Sequence, residues 1–121
     1  MIEKSTLVAG ASTNPERYSY LAIERLQSKD VAPVIAVGLK VGKVGNVEIQ
    51  TQYPDYAVDT ITLYLGPKNQ GEVREYIEKY PPKRVIFNPG TEDMALYQSL
   101  KAKGVEVLNA CTLVMLGTDQ F

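Results

Sequence analysis

The chain has no histidine, no tryptophan and one cysteine, and its 13 Lys plus Arg nearly cancel its 14 Asp plus Glu. Each shortage excludes something. Without histidine there is no imidazole metal ligand, no phosphohistidine, no Ser-His or Cys-His pair, and no unperturbed side chain titrating near neutrality. Much hydrolase and transferase chemistry is therefore closed to this chain alone. A single cysteine forms no internal disulfide. A formal net charge of −1 makes no electrostatic case for nucleic acid or an anionic membrane as principal partner. No apolar run approaches the ~18 residues of a membrane span and no charged-then-apolar leader opens the sequence, so a cytoplasmic location is expected. Repeats and low-complexity stretches are missing too, while protein partners and a homo-oligomeric state stay open.

What is present is enough for one core. For 121 residues and 13.4 kDa, about 6,500 of about 19,400 Å² should stay exposed after folding, which suits a single domain over residues 1–121. Short apolar runs rich in β-branched residues occur at 6–9, 32–37, 58–65, 84–87 and 105–108. Most end in Gly, Asn or Pro, as buried parallel strands do. Between them Ser19, Ala22, Ile23 and Leu26, then Val73, Tyr76, Ile77 and Tyr80, follow helical spacing. Asn69 with Glu72 resembles a capping box, and Thr91 followed by Glu92 and Asp93 reads as an N-cap with acids on the positive helix end. The expected fold is a three-layer, Rossmann-like α/β protein, a doubly wound sheet of five parallel strands in the order 3-2-1-4-5. Residues 38–57, with Gly38, Gly42, Gly45, Asn46 and Pro54, are expected to form a loop with a short extended piece.

In such sheets ligands bind beyond the carboxyl ends of the strands. The segments after the first four runs are Gly10-Ala11-Ser12-Thr13-Asn14-Pro15-Glu16-Arg17, Gly38-Leu39-Lys40, Gly66-Pro67-Lys68-Asn69 and Asn88-Pro89-Gly90-Thr91. Small residues and hydroxyls before a helix leave N–H groups free for a phosphate, although each turn alone also reads as a plain tight turn. The fingerprint G-x-G-x-x-G is absent, since Ser12 and Pro15 stand where its second and third glycines belong, and Lys40 stands near where NAD proteins carry an acid. A phosphorylated ribose is favoured, as in NADP or coenzyme A.

The run from Val8 through Gly10, Ala11, Ser12, Asn14, Pro15, Arg17 and Ser19 to Tyr20 resembles the G-A-S-x-N-P-x-R-x-S-Y signature of small stand-alone CoA-binding proteins. These are relatives of the CoA-binding domain of the succinyl-CoA synthetase α subunit. Phe87-Asn88-Pro89-Gly90-Thr91 and Val107-Leu108-Asn109-Ala110-Cys111 resemble that family's fourth turn and final strand. The resemblance implies a phosphate loop at Gly10, Ala11, Ser12, Thr13 and Asn14, with Arg17 and Lys40 as cations and Asn88, Pro89 and Gly90 flanking coenzyme A or an acyl-CoA. Lys43 and Lys68 have no motif support, and Leu39-Lys40-Val41 replaces an asparagine and proline that family members carry.

The resemblance also bears on chemistry. Synthetase relatives use a phosphorylated histidine on another domain, and this chain has none, so a carrier, sensor or regulatory role without ligase activity is expected. A small NADP-dependent oxidoreductase and a protein-interaction module with an unoccupied Rossmann fold are the alternatives. Glu92 and Asp93 sit where carboxylates stabilise a helix start. Cys111 is expected in the first turn of a final helix capped by Asn109, either as a small packed residue or as a thiol forming a mixed disulfide with CoA. Tyr53 and Tyr56 are candidates to cover an adenine.

Overall fold

The β-branched runs become the inner strands of one sheet. In the computed structural model, which describes residues 2–121, the chain forms β1 (Ile2–Ala11), α1 (Tyr18–Ser28), β2 (Val31–Gly38), β3 (Gly42–Val44), β4 (Val47–Gln50), β5 (Thr60–Leu63), α2 (Gly71–Lys79), β6 (Arg84–Phe87), α3 (Met94–Ala102), β7 (Glu106–Asn109) and α4 (Thr112–Gly117). The sheet order is β3-β4-β2-β1-β5-β6-β7. All pairings are parallel except β3 with β4. β5 and β6 are buried at every position, because helices cover both faces of a parallel sheet.

Two cores lie on either side. On one face Leu7, Leu63 and Phe87 pack with Val73 and Ile77 of α2 and Leu100 of α3. On the other, Val8 and Ala36 pack with Ile23 and Leu26 of α1 and Leu116 of α4. The buried positions Ser19, Ala22, Ile23 and Leu26 of α1 and Val73, Tyr76 and Ile77 of α2 are ones their helical spacing predicted, while Tyr80 is the half-buried C-cap of α2. Exposed surface totals 6942 Å², close to the roughly 6,500 Å² expected for this mass.

The three-layer α/β architecture agrees with expectation, and its details differ. Seven strands stand in place of five. The segment 38–57 contains the antiparallel hairpin β3–β4, whose second strand runs parallel to β2. Gly45, at φ +60°, takes the first central position of the Gly45-Asn46 turn, where a two-residue hairpin favours positive φ. Gln27 of α1 braces that turn, donating from Nε2 to the Val44 carbonyl at 3.0 Å and accepting from the Asn46 N–H at 2.9 Å. The third apolar run, β5, lies beside β1, and β4 occupies the place outside β2 that the order 3-2-1-4-5 gave it.

Helix starts shift as well. Asp93, not Thr91, caps α3, its Oδ1 accepting from the Leu96 N–H at 3.0 Å. Residues Pro67–Asn69 form a single 3-10 turn, and Gln70 is the N-cap of α2. Cys111 is itself the N-cap of the six-residue α4 and makes no side-chain cap bond, which corrects its expected place inside the first turn.

Candidate functional site

From β1 the chain winds out through β2 to β4, then returns to β5 and winds the other way through β6 and β7. The reversal falls between β1 and β5, and the crevice beyond their carboxyl ends is where a ligand has room between diverging connections. Tyr64, just past β5, donates its N–H to the Ala9 carbonyl at 2.8 Å. Gly10 lies so close that a Cβ there would stand 3.0 Å from the Tyr64 carbonyl group.

The turn after β1 is held by its own side chains. Ser12 Oγ accepts from the Asn14 N–H at 3.0 Å, and Asn14 Oδ1 accepts from the Glu16 N–H at 3.0 Å. Thr13, Asn14 and Arg17 are exposed, Ser12 is half-buried and Ala11 is buried. Arg17 is the N-cap of α1 and gives it no side-chain bond, so the first-turn N–H groups are left for solvent or an anion.

The second turn is pressed against the first. A Cβ on Gly38 would overlap the Ala11 carbonyl oxygen, and one on Gly42 would overlap the Thr13 methyl. Lys40 projects between these glycines, exposed and outside the ion pairs among the described residues. Its neighbours Leu39 and Val41 are 94% and 76% exposed. Beside them an open hollow of about 520 Å³ is lined by Val41, Gly42, Lys43, Ile49, Gln50 and Gln52.

The third and fourth turns are locked together from below. Buried Gln70 donates from Nε2 to the Leu65 and Thr91 carbonyls, both at 2.8 Å. Arg74 of α2 pairs with Asp93, and the Leu96 N–H at the helix start, followed by that pairing, holds the Asp93 carboxyl below the usual carboxylate range. Lys68 is exposed on the 3-10 turn.

Asn88 is the residue whose position differs most from a ligand contact. It is 2% exposed, with Nδ2 donating to Thr62 Oγ1 at 2.7 Å and to the Leu63 carbonyl at 2.8 Å, and Oδ1 accepting from the Thr112 N–H at 2.8 Å. Its amide therefore ties β5 and β6 to the start of α4. Pro89 and Gly90 are exposed, and the Gly90 N–H already donates to the Glu92 carboxylate at 2.7 Å.

Cys111 is a half-buried free thiol at the same edge. Beside it lies a group that sequence reasoning missed, the hydroxyl of Tyr64. Burial pushes this phenol up to about 12; the Thr62 and Thr112 hydroxyls offset part of that, and Cys111 adds to it. Tyr53 stacks on Tyr76 at 5.2 Å between ring centroids and 23° between planes, so one face of its ring is already used. Tyr56 remains 51% exposed. Among the described residues there is no cluster of three or more metal-ligating side chains and no helix long and apolar enough to cross a membrane.

No curated protein matches the chain. A solved structure of an uncharacterised protein shares 45% identity over 100% of both chains, with a TM-score of 0.92. A conserved hypothetical protein from Pyrococcus furiosus shares 27% identity over 93% of this chain and 98% of its own, at a TM-score of 0.76. A hypothetical protein from Pyrococcus horikoshii OT3 shares 25% identity over 97% and 83%, at 0.79. The model of the CoA binding domain matches residues 4–117, nearly the whole length, and the chain belongs to that family.

Proposed function

We propose that this protein binds coenzyme A or an acyl-CoA and acts as a carrier, sensor or regulatory module, without ligase activity of its own. The observation that carries the reading is the match to the CoA binding domain over residues 4–117, joined to a first turn whose side chains build the loop and leave its helix amides free. Gly10, Ala11, Ser12, Thr13 and Asn14 receive the phosphates, with Arg17 and Lys40 supplying positive charge. Lys40 meets the 3′-phosphate, and the hollow beside Gly42 is of a size to take an adenosine. Pro89 and Gly90 flank the ligand through their exposed turn, while Asn88 acts through the scaffold.

Thermal shift and titration calorimetry with CoA, acetyl-CoA, dephospho-CoA, NADP and NAD test this. CoA should stabilise the protein more than dephospho-CoA does, and Lys40→Ala should remove that difference while Lys68→Ala leaves it. A larger shift with NADP would favour an oxidoreductase. Absence of any shift would favour an interaction module, a reading that the exposed Leu39 and Val41 also suit.

A further inference from the structure

With its nucleotide on the β2 side of the phosphate loop, bound coenzyme A lays its arm the other way, across the carboxyl ends of β5, β6 and β7. Neighbouring strands lie about 4.8 Å apart, so the three spacings from β1 to β7 amount to about 14 Å. A chain of about four extended residues covers that distance, and the pantetheine arm has that length. Its thiol, with any acyl group on it, therefore ends over the connections that follow β6 and β7.

Those connections expose apolar side chains and lack positive charge. Met94, the first residue of α3, is 71% exposed, and Val114 of α4 is 60% exposed. Residues 88–100 and 104–121 contain no lysine or arginine. In sheet order the nearest exposed lysine of this edge is Lys68, on the turn after β5 and closer to the phosphates. Asp93 is paired with Arg74. Glu92 is exposed and outside the ion pairs among the described residues, and its carboxylate is held on the turn by the Gly90 N–H at 2.7 Å.

This arrangement sorts acyl groups. The flexible thioether of Met94 adapts to a hydrocarbon chain, and both surfaces gain by leaving water. An acyl group that ends in a carboxylate covers the same side chains but brings a second negative charge toward Glu92, with no cation on either connection to receive it. An unpaired like charge is enough to discriminate against the wrong ligand.

We infer that the acyl groups this protein accepts are uncharged and apolar, with Met94 and Val114 as their contacts and Glu92 as the residue that turns away acyl groups ending in a carboxylate. The inference rests on the CoA reading and names the acyl class that the reading leaves open.

The test is calorimetric titration of the full chain with CoA, acetyl-CoA, butyryl-CoA and succinyl-CoA at low salt. Butyryl and succinyl groups have the same carbon count and differ in the terminal carboxylate. Affinity should rise about twofold for each methylene added between acetyl and butyryl, the effect of half burying it, and succinyl-CoA should bind more weakly than butyryl-CoA. Glu92→Gln keeps an acceptor for the Gly90 N–H and should raise the affinity for succinyl-CoA, relative to CoA, by about three- to fivefold, a gain that shrinks in high salt. The double variant Met94→Gln, Val114→Thr should bind CoA as the parent does and lose the preference for butyryl over acetyl. Succinyl-CoA binding the parent as tightly as butyryl-CoA overturns the inference and spares the CoA reading. So does a succinyl-CoA affinity that Glu92→Gln leaves unchanged relative to CoA, or a double variant that weakens CoA and butyryl-CoA equally. A parent that binds none of the four ligands overturns both.

Discussion

The methyl group of Thr13 fills the space that a side chain on Gly42 would need. Two turns separated in sequence by the whole of α1 and β2 are thus in direct contact, and the hairpin β3–β4 forms a wall beside the proposed phosphate loop.

Gly42→Ala should force that wall and the loop apart. Overpacking of this kind costs about 1–3 kcal/mol, and because the displaced atom belongs to Thr13 the change should also weaken CoA binding several-fold. Gly66→Ala is the control, since a Cβ there meets nothing within 4 Å. Urea denaturation and titration of both variants check this. Unchanged CoA affinity in a destabilised Gly42→Ala would separate the hairpin from the site.

Asn88 looks from the sequence like a turn residue facing the ligand, and it is instead a buried brace. Asn88→Ala should strand the Leu63 carbonyl and the Thr112 N–H, each worth about 1–3 kcal/mol when left unpaired, so the free protein should lose about 3 kcal/mol. A residue serving only the ligand would leave the free protein's urea midpoint where it was. That midpoint decides between the two roles.

How far the sequence could lead is visible in three places. The buried strands and the helix faces of Ile23, Leu26, Val73 and Ile77 were legible because periodicity reports burial directly. The hairpin was less so: Gly45-Asn46 between Val44 and Val47 is a turn signal, but the surrounding glycines read equally as loop, and Gln27, the residue that braces the turn, lies in another element. The place of β5 was not legible at all. A strand buried on both faces declares that it is central without naming its neighbour, and consecutive strands are adjacent only about two-thirds of the time. That one misplacement moved the reversal point away from the end of β5, so Tyr64, which follows it, was not singled out. The Arg74–Asp93 pair, formed between two helices, likewise leaves no local pattern.

That pair predicts a pH dependence. The Asp93 carboxyl is held below its ordinary 3.8 by the helix-start N–H groups and by Arg74. In the window between the lowered native value and 3.8 the unfolded chain binds more protons than the folded one, so stability falls as pH falls. The contribution is fully present above the unfolded value and is lost as pH drops through the native one. Asp93→Asn keeps a good N-cap and removes the charge. Its stability should track the parent's less steeply below pH 4, with the gap between the two narrowing as acid is added. Parallel acid-denaturation curves would show that Arg74 contributes nothing through that charge.

Cys111 offers the remaining chemistry. It is half-buried, in extended backbone at the start of α4, on the sheet edge that carries the proposed ligand. A thiolate there is expected to attack the disulfide of oxidised CoA, forming a Cys111–CoA mixed disulfide and releasing one CoA thiolate. Intact-mass spectrometry after incubation with CoA disulfide should show one adduct, reversed by reductant and absent from Cys111→Ser. Oxidised glutathione separates guidance by the site from simple exposure. If the nucleotide half of CoA steers the reaction, CoA disulfide should modify Cys111 faster than glutathione disulfide at equal concentration, and adenosine 3′,5′-bisphosphate should slow it. Equal rates with both disulfides would make Cys111 an ordinary surface-accessible thiol, and no adduct at all would return it to its other expected role as a small residue packing the last helix.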